Sequence, residues 1–163
     1  MPLMSETQRG ELLNNLGAIK RFCLSMTGSP ADADDLLQLT IERLLEKGMP
    51  EDADVIRWTY RVCRNIWLDE LRSREVTSRY VQTEVAANGE AHEIESEAMV
   101  TLELERASKA LAELPEDQRS VLLLVAVEGR SYSEVAEILD IPIGTVMSRV
   151  ARARRAVADK FAK

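Results

Sequence analysis

Two runs of side chains in this sequence have the types and spacing needed to bind nucleic acid. In "IGTVMSRVARARR" (143–155), Thr145, Ser148, Arg149 and Arg152 recur at i, i+3, i+4 and i+7, which puts them on one face of a helix. A guanidinium takes guanine bidentately, and a hydroxyl suits either a base edge or a phosphate. Ile143, Val146, Val150, Ala153 and Val157 form the opposite stripe, apolar and suited to packing. The second run is "DVIRWTYRVCRNIWLDELRSR" (54–74), where Arg57, Arg61 and Arg64 share a narrow arc. Arg72 continues that arc and Asn65 lies at its edge, with Trp58, Tyr60 and Trp67 in the broad apolar arc beside it. Cations that track phosphates beside rings that accept unstacked bases suit a single strand, at about 1–3 kcal/mol per stacked base. Each tryptophan taken singly reads more readily as core.

Little else in the chain offers chemistry. The two cysteines, Cys23 and Cys63, are far apart and fall inside helical patterns, and His92 is the single histidine. A zinc site needs about four ligands, so no metal is expected, and the thiols read as small buried apolar groups. There is no Gly-rich phosphate loop and no Ser-His or Cys-His pairing. An enzyme and a cofactor are therefore not expected.

The elements that position the two runs are all helical, with no alternating strand pattern and no hairpin turn. Helices are predicted over 6–26, 30–47, 53–73, 97–113, 116–128, 132–139 and 142–161. Ser29 before Pro30 and an acidic first turn marks one start. Pro115 followed by Glu116 and Asp117 marks another, with Gly129 closing that helix. Ser131 with Glu134 three residues on is a capping box. The pair 132–139 and 142–161, joined by "DIPIG", has the pattern of a helix-turn-helix. In "DADDLLQLTIERLLEK" (32–47), Leu37, Ile41, Leu44 and Leu45 are predicted to be buried. Asp35, Gln38, Leu39 and Glu42 then lie on another face, where Leu39 among polar neighbours suggests a partner surface.

Charge divides the chain. Residues 1–74 hold 10 Lys+Arg against 12 Asp+Glu, residues 75–105 hold 1 against 8, and residues 106–163 hold 10 against 8. The middle segment alone matches the net charge of −7, and it reads as a disordered or partly helical tether. The expected fold is all-α, with two small helical domains at 1–74 and 99–163 joined by an acidic flexible linker at 75–98. The longest apolar run, "VLLLVAV" (121–127), is far short of the roughly 18 residues that cross a bilayer. The N-terminus lacks the order of a secretory signal, so a cytoplasmic protein without membrane insertion is expected.

Several motifs in order carry a family resemblance. "MTGSPADADDLLQL" (26–39), "WTYRVCRNIWLDELR" (58–72) and "LPEDQRSVLLLVAVEGRSYSEVAEILDIPIGTVMSRVARAR" (114–154) resemble the second and fourth regions of extracytoplasmic-function (ECF) sigma factors of the sigma-70 family. The likeness covers about residues 10–74 and 106–160. It implies a factor that binds bacterial core RNA polymerase and directs promoter recognition and opening. Asp35, Gln38, Leu39 and Glu42 would dock on the polymerase clamp, and Arg57, Arg61, Arg64, Asn65 and Arg72 would hold melted promoter DNA. Thr145, Ser148, Arg149 and Arg152 would read the upstream element as duplex. An anti-sigma factor is an expected further partner, and the free protein is expected to be a monomer. Met147 stands where the family often has Arg, and "GMPEDADV" (48–55) lacks the usual aromatic. Two rival readings stay open: a stand-alone helix-turn-helix regulator, and a sigma-like decoy for an anti-sigma factor. The outward arginines of the last helix argue against the decoy.

Overall fold

Helix starts in this chain are fixed by short polar caps, and the computed structural model describes their result for residues 2–80 and 98–162. Most of the acidic tether and His92 lie outside the described residues. Ser5 begins α1 (Glu6–Asn14): its hydroxyl accepts from the Gln8 amide at 3.1 Å, while Gln8 Oε1 accepts from the Ser5 amide at 3.0 Å. The predicted helix over 6–26 is in fact two, because Asn15 leaves helical geometry (φ −115°, ψ 14°) and α2 (Leu16–Thr27) starts afresh. Gly28, left-handed at φ 70°, stops α2. Ser29 then caps α3 (Pro30–Lys47) by accepting from the Asp32 amide, as its sequence predicts.

Gly48 ends α3 at φ 71°, and a Cβ there would collide with the carbonyl of Pro2. This close approach brings the N-terminal residues over the loop that follows α3. Gln8 Nε2 donates to the Pro50 carbonyl at 2.9 Å and Met4 and Met49 are buried.

The buried stripe of α3 is Ala33, Leu36, Thr40 and Leu44. Of the four leucine and isoleucine positions predicted to be buried only Leu44 is, while Leu45 is 48% exposed and Leu37 and Ile41 are half-buried. The stripe runs one position earlier because Thr40 can enter it: its hydroxyl is satisfied by the Leu36 carbonyl at 2.7 Å. Across from it, α4 (Val55–Tyr80) runs several residues past its predicted end and buries Val55, Thr59, Tyr60, Cys63, Ile66 and Trp67. Phe22 meets Tyr60 edge-on at 4.9 Å, and the Cys23 and Cys63 sulfurs are 3.4 Å apart. Contact with Cys23, together with burial, holds the Cys63 thiol well above its ordinary range. It packs here as a small apolar group.

The second module has α5 (Ala98–Ala112), α6 (Glu116–Leu122), a π-helical turn at Leu123–Val127, α7 (Tyr132–Leu139) and α8 (Ile143–Ala162). Ser131 and Glu134 form the predicted capping box on α7. Asp140 takes the left-handed position (φ 56°) that ends α7, and the chain turns into α8. No strand occurs among the described residues.

The two modules share one apolar core. Ile19, Phe22, Leu36, Leu44, Tyr60 and Cys63 from the first belong to the same buried cluster as Val121, Leu124, Val135, Ile138, Val146 and Val150 from the second. A polar node sits at the seam. The Glu128 side chain, 1% exposed, accepts two hydrogen bonds from Arg21 at 2.9 and 3.0 Å and one from the Tyr60 hydroxyl at 2.8 Å. The Arg130 guanidinium lies 5.4 Å from the Tyr60 ring centre.

Burial and the bond to Glu128 push the Tyr60 phenol up to about 12, above the usual value near 10. Because the folded value is the higher one, this contribution to stability is complete below about pH 10 and is lost as pH rises toward 12. A phenolate absorbance titration should show one of the three tyrosines ionising last, together with loss of tertiary signal. Tyr60→Phe should remove that step; all three titrating near 10 with the fold intact would contradict it.

Candidate nucleic-acid interface

The helix-turn-helix forms because α7 and α8 each bury one stripe against the other, α8 packing also on α6 and α7 on α4 and the π turn. Val135 and Ile138 come from α7, and Val146, Val150 and Ala153 from α8, all buried. The Ile141 amide donates to the Ala136 carbonyl at 3.0 Å, and the Pro142 carbonyl accepts from the Thr145 and Val146 amides. The turn is therefore tied at both ends. Ile143, predicted to pack, is instead 50% exposed at the first position of α8.

On the outer face of α8, Ser148 and Arg152 are exposed and Thr145 is half-buried. Arg149 is paired with Asp117 of α6 at 3.6 Å. Arg152, Arg154 and Arg155 form no ion pair among the described residues. Met147 is 51% exposed between Thr145 and Ser148, so a thioether stands within the polar face. Of the four side chains singled out on this helix, Ser148 and Arg152 thus face outward, while Thr145 and Arg149 are half-buried and Arg149 leans toward α6.

The arginines of α4 have a different setting. Arg61 donates from Nε to the Ile138 carbonyl at 2.8 Å and from Nη2 to the Glu137 carbonyl at 2.9 Å. Arg57 pairs with Glu137 at 2.5 Å and with Glu134 at 3.5 Å. Arg64 donates from Nε to the Ser120 hydroxyl at 2.8 Å. Burial lowers the Arg64 guanidinium from its usual range, an effect that Glu116 opposes. The same burial raises the Glu116 carboxyl, against the pull of the Ser120 hydroxyl and Arg119. The structure thus brings Arg57, Arg61 and Arg64 together but does not leave them open. Asn65 and Arg72 are exposed, and Arg72 is paired with Asp69 at 3.2 Å. Among the aromatic residues, Tyr60 and Trp67 are core, whereas Trp58 is half-buried with the Arg61 guanidinium 5.9 Å from its ring centre.

A third surface lies on α3 and α4. Asp35, Gln38, Leu39 and Glu42 line one groove of about 260 Å³ with Ile66 and Trp67. Leu39 is 47% exposed there. Arg74 spans the end of the groove, bonded to Asp32 at 2.9 and 3.2 Å and to Glu70 at 3.0 Å. It also sits 5.1 Å from the Trp67 ring centre. The residues inferred from helical spacing are contiguous in space; Trp67 and Arg74 were not inferred for this groove, because they reach it from the next helix.

Residues 13–77 match the family model for Sigma-70 region 2, and residues 104–157 match that for Sigma-70, region 4. The ECF RNA polymerase sigma factor EcfG of Rhodopseudomonas palustris (strain TIE-1) is 33% identical over 158 residues, which cover 94% of this chain and 84% of EcfG. The chain belongs to the ECF sigma factors. SigW of Bacillus subtilis (strain 168), another ECF RNA polymerase sigma factor, is 31% identical over 85% of this chain and 80% of its own. Among solved structures, the sigma factor RpoE from Bartonella quintana, in complex with the anti-sigma factor NepR, superposes with a TM-score of 0.75. That match has 29% identity and covers 97% of this chain and 98% of that one. The sigma factor described here therefore has the family's two promoter-directing regions, and the helix-turn-helix is its region 4. No helix among the described residues is long and apolar enough to cross a membrane.

The groove on α3 depends on the buried stripe beneath it. Leu36, 2% exposed, lies under Asp35 and Leu39, so Leu36→Ala should cost about 2–5 kcal/mol. Denaturant melts of wild type and variant measure this directly, and a loss under 1 kcal/mol would mean that the stripe is misassigned.

Proposed function

We propose that this sigma factor directs RNA polymerase to promoters through three separate surfaces. Thr145, Ser148, Arg149 and Arg152 on α8 read the upstream element in the major groove. Arg57, Arg61, Arg64, Asn65 and Arg72 hold the opened strand. Asp35, Gln38, Leu39 and Glu42 dock on the polymerase core. The observation that carries the reading is the polar row on α8, with Ser148 and Arg152 exposed and Val146, Val150 and Ala153 buried beneath it, together with an acidic-apolar groove on a different module. One rigid helix suits duplex DNA. A strand site instead binds unstacked bases, and binding energy offsets the few kcal/mol that each costs to extrude. Nothing in this division of labour asks for a catalytic group.

We place the protein in the cytoplasm, where its polymerase acts. The relative from Bartonella quintana was solved with an anti-sigma factor, which supports an anti-sigma partner for this chain too. The modules are taken as residues 1–74 and 99–163, with the acidic segment 75–98 between them.

Run-off transcription with purified core polymerase on genomic promoters tests the assignment. A promoter-specific transcript is expected; its absence despite stable core binding would sink the proposal. Arg152→Ala should weaken upstream-element recognition by about 1–3 kcal/mol if its guanidinium is bidentate to guanine. Arg149→Ala should lose less, because Arg149 must first release Asp117. Asn65→Ala should slow promoter opening, followed by permanganate footprinting, and leave core affinity unchanged.

A further inference from the structure

The outward side of α8 carries more than its polar row. Ile143, Met147 and Ala151 recur every four residues, which sets them in one ridge along the helix. Ile143 is 50% and Met147 51% exposed, and Ala151 is exposed too. The core uses none of the three, taking Val146, Val150 and Ala153 instead. A single exposed apolar side chain is ordinary. Two large ones on adjacent turns, beside the exposed Ser148 and Arg152, call for an apolar group that meets them.

The surroundings of the ridge favour DNA over a protein as that surface. Arg152, Arg154 and Arg155 are exposed on the following turns and form no ion pair among the described residues. Asp159, the single acid of α8, lies in its last turn. Leu39 on α3, by contrast, is exposed among carboxylates. An apolar ridge one side chain wide and edged by cations suits a polyanion that offers small apolar spots. The ridge also begins at the first residue of α8, and the N-terminal residues of a recognition helix are those that reach base edges. In the major groove only thymine presents an apolar group, its C5-methyl. A thioether donates no hydrogen bond and accepts only weakly, so it cannot read the polar edges of the other bases. Its unbranched, polarizable chain adapts readily to a methyl group.

We propose that Met147, with Ile143 and Ala151 beside it, is a specificity-determining residue that selects thymine in the duplex upstream element by packing on the C5-methyl. This rests on the duplex-reading role proposed above for α8 and adds a base preference to it. Ser148 and Arg152 supply polar contacts, while Met147 supplies one that cytosine cannot return. Burial of one methyl group favours thymine over the same base without it by about fourfold.

Holoenzyme assembled from purified core polymerase and the full chain selects duplexes from a random-sequence pool, and the enriched upstream motif is read by sequencing. Each thymine of that motif is then replaced singly by deoxyuridine, which removes the methyl and keeps the polar edge. Competition binding by wild type should weaken about fourfold at one thymine or at two adjacent ones. Met147→Ala should bind the thymine and deoxyuridine duplexes equally, and Met147→Leu should restore the difference. Wild type that ignores the methyl at every thymine would overturn the proposal without recourse to any variant. So would a folded Met147→Ala that keeps the difference, and the ridge would then be left to a protein partner. Arg152→Ala separates this inference from the reading beneath it. If that variant flattens the motif while the methyl has no effect, only the role of Met147 fails. If wild type enriches no motif, duplex reading by α8 fails with it.

Discussion

A carboxylate withdrawn from water must be met by donors or it destabilises the fold. Glu128 is such a group, and its three donated hydrogen bonds come from Arg21 on α2 and Tyr60 on α4. Its own main chain belongs to the other module, directly after the π turn. Satisfying this one side chain therefore sets how the two halves face each other. Arg119 does comparable work further along α6, donating to the carbonyls of Leu111, Ala112 and Leu114 and to Met26 at the end of α2. Between these two points, Val121 and Leu124 are carried into the core formed by Phe22 and Tyr60.

That orientation sorts the functional surfaces into covered and open. Helix α4 turns its arginines inward because it lies between α3 and the second module, where its apolar arc has to be buried. Helix α8 buries the stripe of Val146, Val150 and Ala153, so Ser148 and Arg152 on its polar face are left exposed. Helix α3 is an outer helix of its module, and the groove it forms with Ile66, Trp67 and Arg74 opens to solvent. The roles proposed for α8, α4 and α3 thus fall on helices whose exposure differs for packing reasons alone.

Much of this was legible in the sequence where one residue type has one structural use. Ser29-Pro30 and the Ser131/Glu134 box set their helix starts, and the spacing of Val146, Val150 and Ala153 found the buried side of α8. Leucine-rich α3 was ambiguous, because Leu36, Leu37, Leu39, Leu44 and Leu45 support more than one stripe and the polar Thr40 belongs to the true one. The break at Asn15 has no glycine or proline to mark it. The continuous run at 121–127 has no period from which a π turn could be read. Hardest of all was the seam. Arginines at 57, 61 and 64 look the same on a helical wheel whether they face water, phosphate or a helix end, and only the three-dimensional pairing tells these apart.

The π turn at Leu123–Val127 carries a consequence for how such a seam stays in register. A π turn amounts to an α-helical turn that holds extra chain, and such bulges tend to occur at functional positions. Each residue of an α-helix advances the next by about 100°. Losing one residue from "LLVAV" would let the segment relax to ordinary α-helix with Glu128 near its present bearing toward Arg21 and Tyr60, because the wide turn already absorbs the extra residue. A residue lost from regular helix would instead rotate it by that angle. The helix-turn-helix beyond Gly129 would keep its own caps and core. Chain length within five apolar residues is therefore absorbed by the turn, which holds the grip between the modules in register independently of the residues proposed to meet DNA.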